Sequence, residues 1–183
     1  MSEELVIRLC APTLAGIKTG SLFSAEYESE ETLQEELRTL NRVLMPKGLV
    51  ALALRFGKRR ALIYLYRPER LRRDLSDKDA LALLEEQGYG GLRADACLGR
   101  LIEKLRMNEG FPHEIGLFLS YSPEDVRGFI EHQAEESKAV GCWKVYGDVE
   151  KAEKKFRQYK HCTEVYCRLW RRGTTMDRLT VAG

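Results

Sequence analysis

The sequence lacks most of the features that would mark a specialised chain. Of 183 residues only five are cysteine, five proline, three histidine and two tryptophan, and the formal net charge is +2. The cysteines (Cys10, Cys97, Cys142, Cys162, Cys167) are odd in number and scattered, with no C-x-x-C pair. A secreted disulfide framework is even and denser, and a zinc ribbon or dithiol redox pair is closely spaced, so the thiols are expected to be free and reduced. No apolar run approaches the roughly 18 to 20 residues of a membrane helix. Met1-Ser2-Glu3-Glu4 is acidic where a signal peptide is basic; a cytoplasmic protein is expected. A net charge near zero argues against a surface built throughout for nucleic acid. With no internal repeat, low-complexity stretch or Pro/Gly/Ser-rich linker, the simplest organisation is one compact domain over 1–183.

What is present supports a core. Hydrophobic residues make up 44% and charged residues 32%, too apolar for wholesale disorder. The charges are unevenly placed. Between Arg55 and Arg73 stand Arg55, Lys58, Arg59, Arg60, Arg67, Arg70, Arg72 and Arg73 against the single acid Glu69, whereas 109–136 holds seven acids against Arg127.

Periodicity predicts the elements. Leu33, Leu37, Leu40 and Leu44 recur at helical spacing behind the N-cap Ser29, and Pro46-Lys47-Gly48 ends that helix. Leu49–Leu54 and Ala61–Tyr66 are continuous apolar runs of strand length around Gly57, a hairpin with both faces covered. Pro68 opens a short basic helix, and Ser76-x-x-Asp79 is a capping-box variant opening another through Gln87. Leu98, Leu101, Ile102 and Leu105 stripe a further helix. Ile115–Tyr121 reads as a strand, with Ser122-Pro123-Glu124-Asp125 starting the helix after it. Val140–Tyr146 is another strand, Gly147-Asp148 opens a long basic helix to about Arg172, and Ser21–Tyr27 makes a fifth strand. The expected fold is α/β or α+β: a mixed sheet of about five strands with a central hairpin, covered by helices.

Three segments carry a resemblance: Cys10–Lys18 with Ser21–Phe23; Phe111–Leu119 with Glu124–Ile130; and Gly141–Gly147. Together the chain resembles a bacterial family of proteins of unknown function, the family numbered 3793. Ser120-Tyr121-Ser122 departs from the family's Gly-Tyr-Pro, though a Ser N-cap serves the same helix start. The resemblance implies membership and no activity, and no catalytic residue carries over from it. It also implies the company of flavodoxin-like and iron-handling proteins of anaerobes.

Several residues bear chemistry. His113-Glu114 places an imidazole and a carboxylate just before an apolar run, as a general base or as a loop cap beside a solvated Glu. Cys10 with His113 would make a thiol nucleophile and its base if the fold joined them; otherwise Cys10 is a small core residue. His161-Cys162 with Cys167 invites a metal, but residues five apart on a helix lie about 140° around its axis, so the two thiols cannot share one ion. No metal is expected, and no cofactor: Gly90-Gly91 lacks the pattern of a phosphate loop. Lys18 and Lys144 stand in apolar surroundings. Each reaches solvent at an edge or offers a point charge to an anionic group, with Tyr146 on the same strand face as Lys144.

Two functional readings follow. In the first, a non-catalytic module docks an acidic, flavodoxin-like protein through Lys58, Arg59, Arg60, Arg70 and Arg73. In the second, Lys18, His113, Lys144 and Tyr146 surround an anionic small molecule, in a binding protein or an unclassified enzyme. Nucleic acid is not expected, because Tyr64 and Tyr66 lie within an apolar strand and offer no exposed stacking platform. Denatured under alkylating conditions, the protein should titrate five free thiols; a reproducible deficit of two would overturn the reduced state.

Overall fold

The structure, a computed structural model, describes residues 1–107 and 110–183; Glu109, first acid of the stretch 109–136, lies outside the described residues. Helix α1 (Glu3–Leu14), strand β1 (Gly20–Glu26) and helix α2 (Glu30–Leu44) lead into the hairpin β2 (Val50–Phe56) and β3 (Arg60–Tyr66). There follow α3 (Pro68–Leu75), α4 (Lys78–Leu84), α5 (Ala94–Met107), α6 (Ile115–Phe118), α7 (Pro123–Glu131), β4 (Ala139–Val140), β5 (Lys144–Val145), α8 (Val149–Arg171) and α9 (Met176–Leu179). The fold is α+β. Two compact units divide the chain: Met1–Glu69 with Tyr159–Gly183, and Arg70–Gln158.

In the first unit the leucine spacing of α2 does what it predicts. Leu33, Leu37, Leu40 and Leu44 are buried, and Ser29 Oγ accepts from Thr32 N–H at 3.1 Å as the N-cap. Gly48, at φ 79°, takes the left-handed conformation that turns the chain into β2. The sheet is antiparallel in the order β1-β3-β2, and the register slips between Ala53 and Arg55. Phe23, Ala25, Ala51, Ala61, Ile63 and Leu65 form a core with Val6, Ile7 and Leu14 of α1, the leucines of α2, and Met176 and Leu179 of α9.

One polar residue ties this unit together. Arg67, just beyond β3 and 3% exposed, donates from Nε to the Thr13 carbonyl at 2.8 Å and from Nη2 to those of Leu14 at 2.9 Å and Val181 at 2.7 Å. Thr13 and Leu14 end α1, where carbonyls without intrahelical donors and the negative end of the helix dipole favour a cation. The sequence counts Arg67 with the basic segment; the fold withdraws it from the surface.

The second unit departs from expectation in three places. Ser76 does not cap α4. Its hydroxyl donates back to the Arg72 carbonyl at 2.6 Å, and Asp77 accepts from Asp79 N–H at 3.0 Å and Ala80 N–H at 3.2 Å. The run 115–121 is not a strand. Ile115, Gly116 and Leu117 donate to the carbonyls of Pro112, His113 and Glu114, making helical turns in which residues 115–119 are all buried; a short apolar run has no period to separate the two states. The run 140–146 is a tight ribbon rather than one strand, with Ala139 opposite Val145 and Val140 opposite Lys144. The described strands therefore form a three-stranded antiparallel sheet and a separate two-stranded ribbon, with antiparallel pairing throughout rather than the mixed pairing expected.

Arg67→Ala should cost about 2 to 4 kcal/mol in urea unfolding, since charge-assisted hydrogen bonds to three carbonyls are lost in a buried place. Arg67→Lys should restore only part, because one ammonium cannot reproduce the guanidinium fork. A stability unchanged in both variants would show that the contact does not hold the unit.

Candidate functional site

The four residues grouped as an anion pocket come from both compact units. Lys18 belongs to the first unit, and His113, Lys144 and Tyr146 to the second. Lys18 follows α1, with its ammonium 5.8 Å from the centre of the Tyr159 ring. Cys10 lies in the core of the same unit, 0% exposed. Burial pushes its thiol up to about 12, against the opposing influence of the Lys18 charge and a hydrogen bond with Ser21. A thiol held protonated at neutral pH is no nucleophile. Cys10 is a core residue, and the Cys10–His113 pairing has no chemical footing.

In the second unit His113 is exposed, its ring centre 4.9 Å from that of Phe129 and 6.2 Å from that of Phe111. Its neighbour Glu114, expected in solvent, is 2% exposed. Its carboxylate accepts from the Tyr89 hydroxyl at 2.9 Å and from the Lys104 ammonium. Lys104 also donates to the Gln87 carbonyl at 3.1 Å and lies 4.9 Å from the centre of the Tyr89 ring. Burial, reinforced by the Glu114 charge, raises the Tyr89 phenol far above its ordinary range. This closed cluster binds the turn 85–89 to α5 and to the start of α6. With Glu114 committed to it, His113 and Glu114 do not form an acid–base pair.

The residues after α6 converge on Asp125. It stands in the first turn of α7, behind the N-cap Ser122, whose Oγ accepts from its N–H at 3.2 Å. The carboxylate is 4% exposed. Oδ2 accepts from the Trp143 indole N–H at 2.8 Å, and Oδ1 from the backbone N–H groups of Tyr146 at 2.8 Å and Gly147 at 2.9 Å. Burial alone would raise this carboxyl. The hydrogen bonds from Gly147, Ser122, Tyr146 and Trp143 together outweigh burial and hold it below the ordinary aspartate range. Trp143 is thereby fixed between Tyr121, stacked at 4.5 Å, and Phe156, edge-on at 4.5 Å. Tyr146 packs so closely on α7 that a Cβ at Gly128 would lie 2.4 Å from its ring, and a Cβ at Gly147 would lie 2.2 Å from the Glu124 carboxylate.

The ribbon thus held presents Lys144 and Tyr146 to the segment after α7. The Lys144 ammonium donates to the Ala134 carbonyl. The Tyr146 ring stacks on His132, centres 5.6 Å apart and planes 12° apart, and Glu136 reaches His132 Nδ1 at 3.0 Å. Tyr146 is 8% exposed, and its buried hydroxyl has no hydrogen-bond partner among the described residues. Burial first, and the Glu136 charge second, raise its phenol. Gln133, Ala134 and Glu136 have φ of 48°, 67° and 56°, the left-handed region where a side chain costs about 1 kcal/mol or more.

Lys58, Arg59, Arg60 and Arg73 are exposed and Arg70 is half-buried. Lys58, Arg59 and Arg60 lie in the first unit, Arg70 and Arg73 in the second. Cys142 is exposed, Cys97 buried, and Cys162 and Cys167 half-buried; burial pushes the Cys162 thiol up to about 11. Among the described residues no group of three or more His, Cys, Asp or Glu is placed to hold a metal ion, and no helix is long and apolar enough to cross a membrane. Sequence reasoning missed Asp125, which reads as an ordinary first-turn acid. Nothing local announces that it serves an indole 18 residues on.

The three segments with the family resemblance now have physical roles. Cys10 is core, Gly128 and Gly147 admit close approach, and Asp125 receives Trp143. The family model described as "Protein of unknown function (DUF3793)" matches residues 6–180, and the chain belongs to that family. No curated protein and no solved structure matches it.

Asp125 generates a pH signature. A carboxyl depressed in the folded state contributes fully above the unfolded value of about 3.9. That contribution is lost as pH falls through the folded value. Stability followed by Trp143 fluorescence should drop on acidification below about pH 4, and more steeply than in Asp125→Asn. Asp125→Ala should cost about 3 kcal/mol or more, as three buried N–H groups lose their acceptor. Equal pH slopes in parent and Asn variant would refute the assignment.

Proposed function

We propose that the chain is a non-catalytic docking module for an acidic protein partner of the flavodoxin-like kind in a bacterial cytoplasm, with the tip of the β2–β3 hairpin as the first point of contact. The observation that carries this reading is a preorganised basic tip. Lys58 and Arg59 are exposed. The turn beneath them is fixed by the Tyr27 hydroxyl donating to the Gly57 carbonyl at 2.5 Å, by Gly57 N–H to the Arg60 carbonyl at 2.9 Å, and by Tyr27 N–H to the Arg59 carbonyl at 3.3 Å. Arg60 reaches back across the sheet to Glu26 at 3.1 Å and to Ser24 Oγ at 3.0 Å, so it braces the tip more than it extends it. Charges held on a rigid turn lose little freedom on binding and steer an oppositely charged partner from a distance. Tyr64 and Tyr66, stacked at 4.7 Å and 0% and 9% exposed, are unavailable to nucleobases, which favours a protein partner. Arg70 and Arg73 of α3 contribute as a second basic element.

A second reading keeps an anionic small molecule, centred on Lys144 and Tyr146. Its support is the Tyr146 hydroxyl, buried and unpartnered among the described residues. Lys144→Met should then leave the fold intact and remove anion binding.

Replacing Lys58, Arg59 and Arg60 by Gln should slow association with an acidic flavodoxin-like protein about tenfold or more at low salt, with the difference vanishing as salt is raised. Replacing Arg70 and Arg73 should have a smaller effect. Association rates identical across the three proteins at low salt would sink the docking reading.

A further inference from the structure

We infer that Lys144 and Tyr146 form a binding site for an oxyanion, a carboxylate or phosphate group, which the segment 132–137 closes in this structure. The inference rests on the second reading above and adds a mechanism to it. Lys144 lies within β5 and Tyr146 directly after it, two residues apart and on one side of an extended chain. Both are met by the same short stretch: His132 covers the Tyr146 ring and the Ala134 carbonyl takes the Lys144 ammonium. His132 and Ala134 can be no more than about 7 Å apart along the chain, so the ring and the ammonium lie beneath one strap.

Each contact of the strap has the character of a substitute. The Ala134 carbonyl offers Lys144 an oxygen, the atom a carboxylate or phosphate would offer with a full charge and a stronger bond. The Tyr146 hydroxyl is a donor left without an acceptor among the described residues, although a buried hydroxyl ordinarily has one. The strap also carries Glu136, whose charge bears on the Tyr146 hydroxyl and repels an anion while the strap is down. Opening removes the carbonyl, the ring and the carboxylate together, and exposes an ammonium and a hydroxyl to one ligand.

The strap is built to open. Three of its residues, Gln133, Ala134 and Glu136, hold left-handed backbone without being glycine, so the closed form stores strain that release relieves. Two side-chain contacts hold it down, the Lys144 bond and the His132 stack, and the backbone N–H groups of His132 and Ala134 join it to α7 at the carbonyls of Gly128 and Phe129; the His132–Glu136 pair lies within the strap. The nearby Lys138 is occupied on the ribbon itself, its ammonium donating to the Gly147 carbonyl at 3.3 Å and its N–H to the Val145 carbonyl at 2.8 Å, and so marks where the strap ends.

The test is titration of the full chain with inorganic phosphate and, separately, acetate, read from the backbone amide resonances of residues 132–147. The two arms separate a phosphate ligand from a carboxylate. Ala134→Gly relieves strain in the closed form and should weaken binding about fivefold. His132→Ala removes the cover and should strengthen it by a similar factor. Tyr146→Phe should keep the parent's unfolding midpoint, since the lost hydroxyl has no partner among the described residues, yet weaken binding; Lys144→Met should abolish it. Binding that Lys144→Met abolishes but that Ala134→Gly and His132→Ala leave at the parent value overturns the strap and leaves the anionic reading standing. Absence of binding of either anion by His132→Ala and the parent alike overturns both. Tyr146→Phe binding as tightly as the parent removes Tyr146 from the site and overturns the inference.

Discussion

The carboxylate of Asp125 is the interaction on which the second unit depends. A buried charge is tolerated only where hydrogen bonds replace its water. Here the replacements come chiefly from the ribbon, as the Trp143 indole and two consecutive backbone N–H groups, with the Ser122 side chain adding its influence from the start of α7. No neutral residue substitutes cleanly, because an amide in place of the carboxylate would set a second donor against the indole N–H. With the carboxylate in place, the ribbon can lie close enough for Tyr146 to pack on Gly128, and its turn needs no long sheet to support it.

The first unit solves the converse problem with a cation. Arg67 is buried against carbonyls, at the end of α1 where the helix leaves them without intrahelical donors, and it draws in Val181 from the far end of the sequence. Glu114 is a third solution, a buried carboxylate satisfied by a hydroxyl and an ammonium. In each case the charge organises backbone or side chains around itself and leaves little of itself for a ligand. The Tyr146 hydroxyl differs: it is buried with no hydrogen-bond partner among the described residues.

Burial therefore redraws the charge map. Between Arg55 and Arg73 the sequence presents a continuous basic stretch, but Arg67 is internal and Arg60 is paired with Glu26. The exposed charge that remains includes Lys58 and Arg59 on a braced turn, displayed by strands whose own side chains hold the sheet, and Arg72 and Arg73 on α3. The acids after residue 109 divide in the same way, with Glu114 and Asp125 buried and Glu131, Glu135 and Glu136 exposed.

What the sequence by itself determined is what short-range physics decides: the leucine stripe and Ser29 cap of α2, the Gly48 stop, the apolar hairpin, the Ser122-Pro123 start of α7 and the long basic α8. Each of these follows from periodicity or from a side chain bonding within a few residues of itself. The tertiary structure alone decided that 115–118 is helix and that 141–143 is a turn, because an apolar run of that length satisfies either pattern and only its neighbours choose. It alone decided that Asp77 caps where Ser76 was available, since both could. It alone buried Arg67, Glu114 and Asp125, whose partners lie as far as 114 residues away in the chain. That Lys144 and Tyr146 lie on one side of the ribbon was legible through strand alternation. Their cover by His132 was not, because no local rule carries the position of a loop that closes through space.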